Sequence, residues 1–231
     1  MRGMRYKLLL FDLDDTLLDF GANEAESLGA LFALHGMPLT DERFRVYNAV
    51  NRQLWADYEA GEIALEQVLN TRFSETMRRL GVQADGAAWE DEYRALLGEG
   101  AQLMEGALEL CQSLSASHRL FAVTNGITQT QQRRMQKSGL AEFFEAVFDS
   151  QSIGYQKPSP RFFDYVAGHI EGFHKAEALI IGDSPATDIR GGMLAGIDTC
   201  WLNTRGRECP ADIRSTYTVT SLAEVYGICM G

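Results

Sequence analysis

Residues 8–16 read Leu-Leu-Leu-Phe-Asp-Leu-Asp-Asp-Thr, an apolar run that ends abruptly in a cluster of aspartates. An apolar run of this length, bounded by polar residues, is typical of a strand that is buried on both faces of a parallel sheet. Ligands of open parallel sheets bind outside the carboxyl ends of the strands, and Asp12, Asp14 and Thr16 follow this predicted strand directly. The stretch therefore predicts both the first strand of an α/β fold and one part of a polar site at its end.

Similar short apolar runs recur along the chain, and helix-length segments separate most of them. The segment 104–117, for example, places Ala107, Leu110, Cys111 and Leu114 on one face of a helix. Alternating strand and helix periods indicate βαβ units on a doubly wound parallel sheet. The predicted strands are residues 6–11, 120–123, 146–148, 178–181 and 199–202.

The alternation is interrupted after the first strand, where residues 21–100 contain helical patterns and no strand-like run. So many helical residues are too many for one crossover connection. We therefore predict an all-helical domain at residues 20–100, inserted into a parallel-sheet core that is formed by residues 1–19 and 101–231.

Two patterns mark helices inside this insert. Asn23 is followed three positions later by Glu26, which predicts a helix start of the capping-box type. A second helix is predicted from apolar residues that recur every four positions. These are Leu65, Leu69, Phe73 and Met77.

Polar clusters also follow two later predicted strands. Thr124 and Asn125 come directly after the second strand, and Asp183 opens another cluster after the fourth. Because the carboxyl ends of parallel strands lie at the same edge of a sheet, we expect these side chains to converge with Asp12. A fourth piece, Lys157, lies in a loop after the third predicted strand.

In this order, the pieces resemble the four motifs of the haloacid dehalogenase-like hydrolase superfamily. The likeness covers the whole chain, because the helical insert is similar to that superfamily's first-position cap, and it implies a Rossmann-like core. Residues 51–63 and 199–203 are similar to the pyrimidine 5′-nucleotidase branch that acts on noncanonical nucleotides. The residues that carry the motifs are Asp12-x-Asp14-x-Thr16, Thr124, Lys157 and Gly182-Asp183-x4-Asp188.

The resemblance implies a phosphomonoester hydrolase in which Asp12 is the nucleophile and forms an aspartyl-phosphate. Asp14 would act as general acid toward the leaving oxygen and then as general base toward water. Thr124, Asn125 and Lys157 would bind the phosphate through hydroxyl, amide and ammonium groups that match the charge on phosphoryl oxygens in the transition state. Asp14 argues against a carbon–halogen dehalogenase, because a halide leaves without a proton.

Mg²⁺ is the implied cofactor, because two carboxylates that face a phosphate need a cation and Mg²⁺ prefers oxygen ligands. By resemblance, Asp12 contributes a side-chain oxygen, Asp14 its backbone carbonyl and Asp183 a second carboxylate. Asp188 would lie behind these ligands and orient Lys157 or a metal-bound water.

The resemblance implies a nucleoside 5′-monophosphate as the substrate, with Phe20, Trp55 and Tyr58 as candidates for the pocket. An aromatic pair at helical spacing, such as Trp55 and Tyr58, is more often part of a core. A phosphatase for a small sugar phosphate or phosphoglycolate keeps every core motif and is the alternative. A non-catalytic ligand-binding module on the same fold is the alternative of a different class, but it would not require the nucleophile, acid, lysine and metal carboxylates together.

The amino-acid composition excludes some classes of binding partner. The chain has 21 Lys and Arg against 32 Asp and Glu, which gives a net charge of −11. Such a surface repels nucleic-acid polymers and anionic membranes, although a few local cations can still hold a small phosphate. No apolar stretch reaches the roughly 18 residues of a membrane helix. Four scattered cysteines without a CxxC pair predict reduced thiols in a cytoplasmic protein.

Overall fold

The computed structural model describes residues 5–231, so residues 1–4 of the predicted core lie outside the described part. The chain forms two compact units, of which the first joins the residues up to Phe20 to Ala101–Gly231 and the second is Gly21–Gly100. This division differs by one residue from the predicted one, because Phe20 groups with the first unit. The assignment of the first unit as a catalytic core and the second as a cap stays a prediction.

The first unit contains a six-stranded sheet in the order β3-β2-β1-β4-β5-β6, and every neighbouring pair is parallel. The predicted parallel α/β sheet is confirmed. The last strand was not predicted, because it is three residues long and its pattern is not continuously apolar. The strands are β1 (Leu8–Phe11), β2 (Arg119–Thr124), β3 (Ala146–Asp149), β4 (Ala178–Gly182), β5 (Asp198–Leu202) and β6 (Tyr217–Val219).

Each central strand contributes to two hydrophobic cores. Leu9 and Phe11 belong to one buried cluster, whereas Leu8 and Leu10 belong to another. Because successive side chains of a strand point to opposite faces of the sheet, both faces of β1 are covered. This double burial is the physical reason for the uninterrupted apolar run.

Helices flank the strands in the first unit and make up the regular structure of the second. The predicted helix 104–117 is shorter in the structure, because Gly106 adopts a left-handed conformation with φ of 80° at its start. No helix in the described part of the chain is long and apolar enough to cross a membrane. The α-helices are α1 (Phe20–Leu34), α2 (Asp41–Glu59), α3 (Leu65–Arg79), α4 (Gly86–Glu99), α5 (Ala107–Ser115), α6 (Thr128–Ser138), α7 (Ser150–Ile153), α8 (Pro160–His169), α9 (Arg190–Ala195) and α10 (Leu222–Met230).

Within the second unit, the four-residue apolar period predicts α3 correctly, and all four residues of that period are buried. The predicted helix start at Asn23 is wrong, because α1 begins at Phe20. The Asn23 amide instead donates to the carbonyl oxygen of Leu97 at 3.0 Å and accepts a hydrogen bond from Ser27 at 3.1 Å. Asn23 therefore ties α1 to the end of α4.

The second unit also contains a set of polar and charged side chains, of which all but the half-buried Arg94 are buried. This set is here called the Arg72 cluster (Arg72, Glu90, Asn51, Glu24 and Arg94). Arg72 donates to both carboxylate oxygens of Glu90, at 2.6 and 2.7 Å, and to Asn51 at 3.3 Å. Asn51 in turn donates to Glu24 at 3.2 Å, and Arg94 lies 3.5 Å from Glu90. The charges of Arg72 and Glu90 therefore balance each other, while Arg94 also pairs with the exposed Asp91.

Candidate active site

Asp12 lies directly after β1 and is buried. Its Oδ1 accepts a hydrogen bond from Lys157 Nζ at 2.7 Å, and its Oδ2 accepts one from Thr16 Oγ1 at 3.0 Å. The backbone N–H of Asp183 donates to the same Thr16 hydroxyl at 3.1 Å. The first and last sequence motifs therefore meet at the ends of β1 and β4, as the strand-end argument predicts.

Lys157 is buried, and its ammonium group lies between two carboxylates. It donates to Asp12, to Asp188 Oδ1 at 2.6 Å and to the carbonyl oxygen of Val123 at 2.8 Å. Burial alone would lower the pKa of Lys157, but the charges of Asp12 and Asp188 outweigh it and raise that pKa. Lys157 is therefore a fixed cation at this edge of the sheet.

Asn125 holds the loop that carries Lys157. Its Oδ1 accepts from the backbone N–H of Lys157 at 2.8 Å, and its Nδ2 donates to the Lys157 carbonyl at 3.0 Å. Both ends of the Asn125 side chain are thus engaged with the lysine backbone. The side chain therefore positions the loop that carries the Lys157 ammonium group. A contact of Asn125 with phosphate would involve its backbone amide, and that contact stays a prediction.

Asp183 follows β4 directly, and Asp188 lies in the short helical turn Pro185–Ile189 that comes next. Asp188 accepts from Lys157 through Oδ1 and from the backbone N–H of Ser184 through Oδ2 at 3.0 Å. A β-carbon at Gly182 would lie only 2.2 Å from Asp188 Oδ2, so a residue without a side chain is needed there. Asp183 accepts from Arg207 at 2.9 Å.

Thr124 and Asp14 are joined by one side chain of α6. Gln131 Nε2 donates to Asp14 Oδ2 at 2.7 Å and to Thr124 Oγ1 at 3.0 Å. Arg134 Nη1 donates to the other oxygen of Asp14 and, at 3.1 Å, to Gln131 Oε1. The guanidinium of Arg134 also lies 5.7 Å from the centre of the Phe20 ring.

The two other aromatic candidates lie on α2 in the second unit. Trp55 and Tyr58 pack edge to face, with ring centroids 5.7 Å apart. Tyr58 is buried and Trp55 is half-buried, so Tyr58 has the burial that the core interpretation expects. A contact of either residue with substrate stays a prediction.

Negative charge exceeds positive charge in the set formed by Asp12, Thr16, Lys157, Asp183 and Asp188, here called the Asp12 cluster. Carboxylate oxygens of its three aspartates lie within 4.8 Å of one another. Burial raises the pKa of Asp12 well above its ordinary value, with Lys157 opposing and the other aspartates adding to the effect. Burial and the charge of Asp188 raise the pKa of Asp183 to about 6, although Arg207 opposes them.

The model of one protein family matches most of the chain, namely residues 6–196, and its description is haloacid dehalogenase-like hydrolase. The chain belongs to this family. The hydrolase is 44% identical to the HAD-hydrolase YfnB of Bacillus subtilis over 97% of its own length and 95% of that protein's. A crystal structure of YfnB bound to magnesium superposes on it with a TM-score of 0.93, covering 98% of this chain and all of that one.

Two further relatives of the hydrolase are named pyrimidine 5′-nucleotidases. PynA of Streptococcus pneumoniae is 39% identical over 96% of this chain and 94% of its own length. YjjG of Escherichia coli is 32% identical over 96% of this chain and 97% of its own length. The predicted family is confirmed, and these relatives support the branch that the sequence resembles.

The donor set of the hydrolase fits a hard divalent cation. All the grouped atoms are carboxylate oxygens, which are the ligands that Mg²⁺ prefers. Burial, with the charges of neighbouring aspartates, raises the pKa of Asp12 and Asp183. Both carboxylate oxygens of Asp188 accept hydrogen bonds, one from Lys157 and one from Ser184. The role of Asp188 behind the metal ligands stays a prediction.

Three site residues of the hydrolase were not predicted from the sequence: Gln131, Arg134 and Arg207. Gln131 and Arg134 are three positions apart on α6, so they share one helix face that begins just after Thr124. That spacing is a usable signal once α6 is placed. Arg207 lies in an irregular segment after β5 and carries no periodic signal.

Proposed function

We propose that this hydrolase cleaves phosphomonoesters through a covalent aspartyl-phosphate on Asp12. The observation that carries the proposal is the Asp12 carboxylate itself, which is buried at the strand edge beside Lys157 and close to Asp183. A carboxylate nucleophile splits ester hydrolysis into two easier steps. The neighbouring cation and hydroxyl groups supply the charge complement that phosphoryl transfer requires.

In the first step, an oxygen of Asp12 forms a bond to phosphorus while the bond from phosphorus to the ester oxygen breaks. Asp14 gives its proton to the departing oxygen, which leaves as an alcohol. Lys157 and Thr124 stabilise the phosphoryl oxygens as they gain charge. Asp14 is then ionised and ready for the second step.

In the second step, water attacks the phosphorus of the aspartyl-phosphate and Asp14 takes a proton from that water. The bond from phosphorus to Asp12 breaks, inorganic phosphate is released and Asp12 is a carboxylate again. The same residue thus serves as acid and then as base, so the proton balance closes over one turnover.

Mg²⁺ is the proposed cofactor, with Asp12, Asp183 and the backbone carbonyl of Asp14 as its protein ligands. When bound, it would neutralise negative charge on the phosphate and on the crowded carboxylates. The fit of the carboxylate oxygens supports this assignment, as does the magnesium-bound structure of the similar YfnB.

The proposed substrates are nucleoside 5′-monophosphates with pyrimidine bases. The support is the similarity to PynA and YjjG over nearly the whole chain. The involvement of Phe20, Trp55 and Tyr58 in base recognition is part of the same proposal.

The experiment is a substrate panel with purified protein and Mg²⁺, containing pyrimidine and purine 5′-monophosphates, sugar phosphates and phosphoglycolate. We expect the highest kcat/KM for pyrimidine nucleotides and loss of turnover with EDTA. The Asp12→Asn variant should lose at least about 10⁴-fold in kcat, as expected for a missing nucleophile. A preference for a sugar phosphate or phosphoglycolate would contradict the substrate assignment, and an active Asp12→Asn variant would contradict the mechanism.

Asp15→Asn is the matched control, because it makes the same change in the same loop. Asp15 is paired with Arg205 outside the Asp12 cluster. Its φ of 57° is left-handed, a conformation that asparagine tolerates well. The control variant should retain the wild-type kcat.

A further inference from the structure

Gln131 and Arg134 hold both oxygens of the Asp14 carboxylate from one face of α6. Arg134 Nη1 donates to Oδ1, and Gln131 Nε2 donates to Oδ2 at 2.7 Å. The two side chains also bond to each other, at 3.1 Å. Gln131 and Arg134 are each about 1% exposed, whereas the Asp14 side chain that they hold is 31% exposed. The two donors are therefore packed inside the first unit, and the carboxylate lies at its surface.

The charge of Arg134 is committed to Asp14. Among the described residues, Asp14 is the one carboxylate that forms an ion pair with the Arg134 guanidinium. The Nε and Nη2 atoms of Arg134 are buried and have no hydrogen-bond partner among those residues. The Arg134 guanidinium also lies over the ring of Phe20. A buried cation is costly unless a counter-charge lies beside it, so the geometry favours one fixed arrangement of this pair.

Gln131 connects the same carboxylate to Thr124. One nitrogen, Nε2, donates both to Asp14 Oδ2 and to Thr124 Oγ1. Gly126 is needed for this approach, because a β-carbon there would lie 2.3 Å from that nitrogen. The spacing between Asp14 and the Thr124 hydroxyl is therefore set through a single amide group.

We propose that Arg134 and Gln131 are positioning residues that fix the Asp14 carboxylate relative to the phosphate-binding hydroxyl of Thr124. This inference rests on the proposed function, in which Asp14 gives a proton to the leaving oxygen. A proton donor must lie within hydrogen-bond reach of its acceptor, and a displacement of about 1 Å can cost about 10²-fold in rate. Loss of either side chain therefore impairs proton transfer. Phosphate binding stays largely intact, because the backbone N–H of Gly126 still donates to Thr124 Oγ1 at 3.0 Å.

The test compares two leaving groups in the first step. A nucleoside 5′-monophosphate releases a poor leaving group that needs the proton, whereas p-nitrophenyl phosphate releases a stable anion that does not. The measurement is the pre-steady-state rate of leaving-group release at saturating substrate and Mg²⁺, with KM determined separately. This readout excludes the second step, which is common to both substrates.

We expect Arg134→Met and Gln131→Leu to slow nucleoside release by about 10- to 100-fold. Release of p-nitrophenol and both KM values should change by less than about threefold, because neither depends on the proton. Arg134→Lys should recover most of the loss, since it keeps a positive charge beside Asp14. The matched control is Arg133→Met, an exposed arginine one position earlier on α6, and it should behave as wild type.

A double-mutant cycle separates positioning from a general structural role. If Arg134 acts through Asp14, then Arg134→Met adds less than about twofold to the loss caused by Asp14→Asn. An equal loss with both leaving groups, or full additivity with Asp14→Asn, would overturn the inference. Should Arg134→Met unfold, Arg134→Lys and Gln131→Leu carry the same comparison.

The same experiment distinguishes failure of the inference from failure of the proposed function. An Asp14→Asn variant that shows leaving-group dependence beside an Arg134→Met variant that does not would overturn the inference alone. An Asp14→Asn variant without leaving-group dependence would remove the acid role, and this inference would fall with it.

Discussion

Both units of the molecule bury charged side chains, but they treat them differently. In the Arg72 cluster, Arg72 and Glu90 are joined by two short hydrogen bonds, and the half-buried Arg94 lies 3.5 Å from Glu90. In the Asp12 cluster, three carboxylates approach one another within 4.8 Å around Lys157, with Arg207 at the edge. Arg72 and Glu90 neutralise each other, whereas the three aspartates outnumber Lys157 and the exposed Arg207 and leave an excess of negative charge that a further cation would neutralise.

Burial of charge alone does not mark a functional site. A balanced, fully bonded pair acts as a structural element of its unit. Crowded like charges cost stability, and such arrangements are typical of sites where a ligand restores the balance. Removal of a charge should therefore lower the free energy of unfolding in the Arg72 cluster, and removal of an aspartate charge should raise it in the Asp12 cluster.

Arg72→Met gives the largest expected change in stability. Removal of Arg72 takes away both short hydrogen bonds of the buried Glu90 and leaves only the half-buried Arg94, at 3.5 Å, as its counter-charge. Loss of the close partner of a buried charge costs about 3–5 kcal/mol in the free energy of unfolding. Urea denaturation at pH 7 measures this loss. The double variant Arg72→Met/Glu90→Leu should recover much of this loss, because both charges of the pair are then replaced by apolar side chains.

The control for that variant lies on the same helix. Arg78 is exposed and paired with Glu75 on the surface. Arg78→Met should leave the denaturation midpoint almost unchanged, since solvent screens exposed ion pairs. A similar loss for Arg78→Met and Arg72→Met would contradict the distinction between buried and surface charge.

Asp183→Asn should raise the free energy of unfolding of the protein without metal. The pKa of Asp183 is about 6 in the folded chain against an ordinary value of 3.8. Folded protein therefore keeps a proton that unfolded protein releases, so stability falls as pH rises from about 4 to 6. The difference of roughly two pKa units corresponds to about 3 kcal/mol above pH 6.

The measurement is the free energy of unfolding of both proteins in EDTA between pH 4 and 7. Wild type and Asp183→Asn should agree near pH 4, and the variant should be the more stable at pH 7. Added Mg²⁺ should stabilise wild type and leave the variant unaffected. An Asp183→Asn protein that is less stable at pH 7 in EDTA would contradict the idea of uncompensated charge.

Much of the fold could be predicted because strands buried on both faces must be apolar throughout, as β1 is. The position of the site followed from the shared edge of parallel strands, which brings Asp12, Thr124 and Asp183 together. β6 was missed because it lies at the edge of the sheet, is short and is only partly buried. Local residue type therefore carries little signal for it.

The positioning side chains could not be predicted for a different reason. α6 is rich in polar residues, so Gln131 and Arg134 look like part of a solvated helix face until the fold turns that face inward. Asn23 shows the reverse error, because a residue typical of helix starts serves here as a buried hydrogen-bonding group. In each case tertiary contacts decide what the side chain does.

Detection of a phosphoryl group on Asp12 during turnover is the most direct test of the aspartyl-phosphate mechanism. Enzyme quenched in acid with substrate and Mg²⁺ is treated with borohydride, which reduces an acyl phosphate to an alcohol, and its peptides are then analysed by mass spectrometry. We predict that Asp12 is converted to homoserine in wild type and that no other aspartate is changed. Active enzyme in which Asp12 remains unmodified, or in which another carboxylate is reduced, would contradict the account.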